Sequence, residues 1–117
     1  MPREVLAFET LDCAKKLRIH YRLTSPLEEA LLARYPRMTA TVQRFSELVA
    51  GAKDHVTLTQ GQSIRAAGVL GEPKLVVTYA KQDEERPVAA IETFEATLRD
   101  VYGAIKRVST SERQDVV

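Results

Sequence analysis

Cysteine is nearly missing from this chain: Cys13 is the only one, so no disulfide can form within it. An intracellular setting is the simpler expectation. Soft metal ligands are equally scarce. They are His20, His55 and Cys13, their separations match no zinc pattern, and no metal site is expected. The five glycines, at 51, 61, 68, 71 and 103, are too scattered for a phosphate-cradling loop. No stretch approaches the ~18 apolar residues of a membrane helix. Residues 1 to 11 include Arg3, Glu4 and Glu9 where a secretory signal would be apolar. A cytoplasmic, soluble protein with no membrane partner and no small-molecule cofactor is the expectation. Internal repeats and low-complexity segments are also missing. Charge of one sign is lacking in bulk: 17 Lys and Arg face 16 Asp and Glu, which favours neither nucleic acid nor membrane.

Catalytic constellations are absent as well. Nucleophilic catalysis needs a Ser or Cys beside a base oriented by an acid, and no local motif assembles one. Glu28-Glu29 and Asp83-Glu84-Glu85 each fall where a helix is expected to begin, and the helix dipole accounts for them. The chain reads as non-catalytic. A helix-turn-helix over Gln60 to Tyr79, with Gly68 in its turn, is disfavoured. Its would-be recognition helix, Leu75-Val76-Val77-Thr78-Tyr79, is a poor helix and a good strand.

What the chain does have is alternation. Between Lys16 and Thr24, Leu17, Ile19, Tyr21 and Leu23 point one way; Lys16, Arg18, His20 and Arg22 point the other. A period of two marks a half-buried strand, here with one greasy face and one basic face. If the alternation holds, Tyr21 is buried. The charges also segregate. Residues 13 to 44 hold seven cations (Lys15, Lys16, Arg18, Arg22, Arg34, Arg37, Arg44) against Glu28 and Glu29, whereas residues 83 to 100 hold six acids against Arg86 and Arg99. A near-neutral chain can thereby present a basic surface.

With 117 residues and 44% hydrophobic content, one core is affordable and two are not. Residues 1–14 read as an extension or an extra strand, 15–108 as the domain, and 109–117 as a flexible tail. Val5 to Leu11 is either a short strand or an ordered lead-in. After the first confident strand, Ser25-Pro26-x-Glu28 writes a capping box with proline at the first helical position. Leu27, Leu31 and Tyr35 then form a helical stripe. Pro36 kinks or ends that helix. Met38, Val42, Phe45 and Val49 continue at helical spacing, with Gly51 as a stop, so one bent helix or two short ones both fit. Strands follow at His55–Gln60, Ser63–Leu70 (Gly68 suggesting a bulge) and Lys74–Lys81. Last comes a long helix, opened by Asp83, Glu84, Glu85 and Pro87. Ile91, Phe94, Leu98, Val101, Ile105 and Val108 repeat along it at three-four spacing, with Glu95 and Arg99 paired on its exposed face. The same stripe suits a helix lying on a sheet, which is the favoured reading. The predicted fold is α+β: a two-layer βαβββα sandwich, its sheet antiparallel-rich, with helices on one face.

Three stretches resemble the small ribosome hibernation-promoting factors, also called ribosome-associated inhibitors. They are Thr24-Ser25-Pro26 before an amphipathic helix, His55-Val56-Thr57-Leu58-Thr59, and Tyr79 to Phe94, where a strand passes through acids into Val88-Ala89-Ala90-Ile91. The likeness spans roughly residues 16 to 108. It departs in the amino-terminal extension, in Pro36, in Pro87-Val88 where the family has an aromatic, and in a thin basic continuation (Lys106, Arg107, Arg113). The resemblance implies a βαβββα fold and binding to rRNA in the small-subunit channel. The expected RNA contacts are Lys16, Arg18, His20 and Arg22 on the strand, with Arg34, Arg37 and Arg44 as a second group; the strand group is favoured. The alternative is an interaction or regulatory module forming a homodimer through Ile91, Phe94, Leu98, Val101 and Ile105, or through a strand edge.

Overall fold

The computed structural model describes residues 3–108. Its strands are β1 (Val5–Asp12), β2 (Lys16–Arg22), β3 (Thr39–Gln43), β4 (His55–Gln60), β5 (Ile64–Val69), β6 (Lys74–Ala80) and β7 (Ile105–Val108). They form one sheet in the order β3-β4-β5-β6-β2-β1-β7, antiparallel throughout except where β7 lies parallel to β1. One α-helix, α1 (Val88–Tyr102), covers one face. The fold is α+β in two layers, as expected.

Alternation builds the sheet. Leu17, Ile19 and Tyr21 of β2 face Tyr79, Val77 and Leu75 of β6 in register, and all six are buried. Phe94 of α1 packs over them, its ring 6.1 Å from Tyr21 and 6.3 Å from Tyr79. Each such burial contributes roughly 1.5–3 kcal/mol. Gly68 is regularly paired on the same inner face, between Val56 and Leu75, and makes no bulge. A Cβ there would come within 2.8 Å of Leu27 and 2.9 Å of Leu75, so the bare backbone gives Leu27 its seat on the sheet.

Of the two expected forms the amino-terminal residues take the strand, as β1, with a register shift between Glu9 and Leu11. Four later segments differ from expectation. The capping box starts no α-helix: Glu28 makes no side-chain cap, and only a 3₁₀ segment, Glu29–Arg34, follows. The reason is tertiary. The amide of Leu27 donates to Glu72 and its carbonyl accepts from Gly71, while the Leu23 amide donates to Pro73, which holds this stretch extended along the β5–β6 turn. The long first helix implied by the resemblance is therefore not formed.

After Pro36 the chain turns through Arg37 at φ 62° into β3, not into a second helix; a short 3₁₀ turn, Phe45–Glu47, follows, and Gly51 closes no helix. At the carboxyl side α1 stops at Tyr102. Gly103, at φ 110° and ψ −169°, redirects the chain into β7, and just before that strand Ala104 accepts from the Val5 amide at 2.8 Å. The acids at 83–85 do not open α1. Asp83 and Glu84 form a tight turn at φ 55° and 61°, closed by the Gln82–Glu85 bridge, and the first helical turn carries no acid. The expected tail, 109–117, lies outside the described residues.

Candidate nucleic-acid interface

Since odd positions of β2 are buried, its even positions emerge on the sheet face that α1 leaves open. Lys16, Arg18, His20 and Arg22 stand there in a row about 20 Å long, at the ~3.3 Å rise of a strand. Pairing adds neighbours. Thr78 and Lys74 of β6 lie opposite Arg18 and Arg22, Arg65 of β5 lies opposite Thr78, and Lys106 of β7 lies opposite Leu6 of β1. Thr57 and Thr59 of β4 and Thr39 and Thr41 of β3 extend the face as a hydroxyl field. None of the described strand residues on this face is Asp or Glu.

The cations here are unspent. Among the described residues, no carboxylate lies within 4.0 Å of the charged nitrogens of Lys16, Arg18, Arg22, Arg65 or Lys106. Arg18 is instead steadied by a 3.4 Å hydrogen bond from Nε to the Thr78 hydroxyl. Lys74 approaches Glu72 at 3.4 Å, a solvent-facing pair of little energetic weight. The second basic group is differently placed. Arg34 is bound to Asp100 of α1 at 2.5 Å, and Arg44 to Glu29 at 2.6 Å and Asp54 at 3.7 Å. Arg37 sits in the turn before β3. The fold gathers the β2 set on one surface and separates Arg34, Arg37 and Arg44 from it.

Shallow clefts mark this face. One of about 220 Å³ is lined by Phe8, Thr10, His20, Arg22 and Lys74, with Tyr21 at its floor. Another, of about 550 Å³, is lined by Lys15, Lys16, Arg18, Gln62, Arg65, Thr78 and Ala80. Arg65, Lys74 and Lys106 are not among the RNA contacts expected from the sequence, which reads Lys106 as a continuation of the last helix. Their own strands mark them as outward by alternation, but only the pairing order shows that β5, β6 and β7 surround the basic strand.

The soft ligands are not brought together. Cys13 is exposed in the β1–β2 turn, and β5 and β6 separate His55 on β4 from His20 on β2. The dimer seam is also relocated. Ile91, Phe94 and Leu98 are buried against the chain's own sheet, Val101 packs beside them, and Ile105 belongs to β7. That stripe is core, with no room for a second copy. Glu95 is a further correction: rather than standing exposed, it is 1% accessible. Arg107 donates to both its oxygens at 2.6 and 2.8 Å, Tyr21 donates at 2.7 Å, and Arg99 lies at 3.5 Å.

Comparison with protein-family models, curated proteins and solved structures finds no match to this chain. Among the described residues, no helix is long and apolar enough to cross a membrane.

Proposed function

We propose that this protein is a non-catalytic RNA-binding factor that docks its open sheet face on structured RNA. The likeness in the sequence suggests small-subunit rRNA as the partner, with blocked ligand access as the consequence. One observation carries the reading: an acid-free sheet face bearing six cations, five of them without a carboxylate partner among the described residues. A-form RNA is recognised by shape and by phosphate and 2′-hydroxyl contacts, which calls for fixed cations and hydroxyls on a rigid surface. A sheet held by cross-strand pairing on both sides of β2 supplies that rigidity.

Sedimentation with small ribosomal subunits at rising salt, with and without RNase, tests it. Association should weaken with salt and vanish on RNase treatment. Arg18→Glu with Arg22→Glu should lower the slope of log affinity against log salt by at least about 1.4, the loss expected for two phosphate contacts. The melting temperature should stay nearly unchanged, because neither arginine has an ion pair among the described residues. No association with subunits or free RNA even at low salt would remove the proposal.

A second reading, self-association, shifts from the helix to an edge. β3 ends the sheet with Thr39-Ala40-Thr41-Val42-Gln43, uncharged and mostly exposed, beside Leu48 (80% accessible) and Val49 (62%). The opposite edge, β7, carries Lys106 and Arg107, the kind of charge that deters strand pairing. Light scattering over a concentration series should show dimers that Thr41→Lys abolishes. A concentration-independent monomer rules this reading out.

A further inference from the structure

We infer that the cleft between β1, β2 and β6 on the open face is a subsite for a single unpaired nucleotide. Its base would lie against Phe8 and His20, and its phosphate between Arg22 and Lys74. The inference rests on the RNA-binding reading above and adds which kind of RNA the face selects.

The lining differs in kind from that of the neighbouring cleft on the same face. Phe8 and His20 are direct cross-strand partners, and Arg22 and Lys74 are partners one step along. Phe8 is the one Phe, Tyr or Trp that the described strands place on the open side, since Tyr21 and Tyr79 both point into the core. An aromatic carbocycle beside an imidazole, flanked by two cations, matches the two halves of a nucleotide: a flat ring and an anion. The Thr10 hydroxyl at the rim can meet a base edge. At about 220 Å³ the cleft falls below the ~300 Å³ lower bound of drug-sized pockets, so it suits one base rather than a whole cofactor.

The neighbouring cleft makes the contrast. Its lining of Lys15, Lys16, Arg18, Arg65, Gln62 and Thr78 has no aromatic ring, which suits a phosphate track. A continuous duplex offers phosphates and 2′-hydroxyls but keeps its base faces stacked, so it can use the track and not the ring site. RNA with a bulged or single-stranded nucleotide can use both. The gain from stacking one base on an aromatic side chain is about 5- to 150-fold in affinity.

Fluorescence anisotropy at fixed low salt decides the matter, using the full chain and three labelled RNAs: a blunt hairpin, the same hairpin with one bulged nucleotide, and a single strand. The bulged hairpin should bind at least about 5-fold tighter than the blunt one. Phe8→Leu, which keeps apolar bulk, should erase that preference while leaving blunt-hairpin binding within about twofold. His20→Ala alters a residue that also belongs to the basic row, and should bring the ratio of bulged to blunt affinity to about one whatever it does to the blunt hairpin itself. Should Phe8→Leu disturb the fold, His20→Ala carries the test alone. Equal affinity for both hairpins, unaffected by either substitution, overturns the subsite and leaves the RNA reading standing. Failure to bind all three RNAs overturns both.

Discussion

All four tyrosines of the chain, at 21, 35, 79 and 102, are buried, and they divide into two unlike pairs. Tyr21 donates its one proton to Glu95 at 2.7 Å, so in the 2.7 Å contact between Tyr21 and Tyr79 the donor is Tyr79. A relay from Tyr79 through Tyr21 to Glu95, completed by Arg107, satisfies a carboxylate that burial would otherwise penalise severely. The hydroxyls of Tyr35 and Tyr102 are buried too and face one another closely enough to influence each other's ionisation, yet among the described residues neither has a partner at good hydrogen-bond geometry. Opposite outcomes follow. Tyr21→Phe leaves the buried Tyr79 hydroxyl without its acceptor and removes one of the donors to Glu95, which Arg107 still holds, and should cost about 1–3 kcal/mol in urea unfolding. Tyr35→Phe removes a hydroxyl whose contact with Tyr102 falls short of good hydrogen-bond geometry, so its cost should stay within about 0.5 kcal/mol. Equal losses would mean that the Tyr35 hydroxyl has found a partner. Glu95 was hidden from sequence reading because its i,i+4 relation to Arg99 describes an exposed pair equally well. The partners that bury it, Tyr21 and Arg107, are supplied by other elements.

At the level of elements, Gly103 decides where the last helix ends. With φ at 110° and ψ at −169°, it occupies a backbone region essentially reserved for glycine. Gly103→Ala should therefore destabilise by about 1–3 kcal/mol and loosen β7, which thermal melting and amide exchange at Val5 would report. Unchanged exchange at Val5 would show that the β1–β7 junction does not depend on this turn. The glycine was visible in the sequence, but the three-four spacing ran past it by coincidence, with Ile105 and Val108 falling on period from a strand. The same ambiguity governs residues 38–49. Met38, Val42, Phe45 and Val49 satisfy a helical period, yet Thr39, Thr41 and Val42 are β-branched, and five-residue pairing with β4 prevails over the weak helical pattern. Where alternation was long and unbroken, in β2, β4 and β6, reading was sound. The basic half of the site was legible for the same reason. Its completion by β5 and β7 was not, because strand order depends on contacts distant in sequence.

For the molecule as a whole, stability and the proposed binding draw on largely different charges. Of the six open-face cations only Lys74 has a carboxylate to lose among the described residues, Glu72, and the other ion pairs gather on loops and on the helix side. There, Lys81 holds the Asp12 carboxyl below its usual range, Arg44 does so for Glu29, the Ser46 hydroxyl and amide for Asp54, and Lys53 with Lys74 for Glu72. The unfolded chain would titrate these groups near 3.8 (Asp) and 4.5 (Glu), so on acidification it takes up protons before the fold does. Their contribution is complete above about pH 5 and declines as pH falls through the lowered folded values. The tyrosines act with opposite sign. Burial raises the pKa of Tyr21, Tyr35, Tyr79 and Tyr102 and so opposes their ionisation; the unfolded chain, ionising near 10.0, loses protons first and stability declines above that pH. Melting temperature followed from about pH 3 to about pH 11 should show a plateau with a fall at each end. RNA affinity measured across the plateau should stay level apart from any contribution of His20, because arginine and lysine keep their charge there. The alkaline limb is the sharper check, since every tyrosine contributes to it. A melting temperature that holds steady past pH 10, with tyrosinate absorbance appearing while the protein is still folded, would mean that these hydroxyls ionise as freely inside the core as outside it.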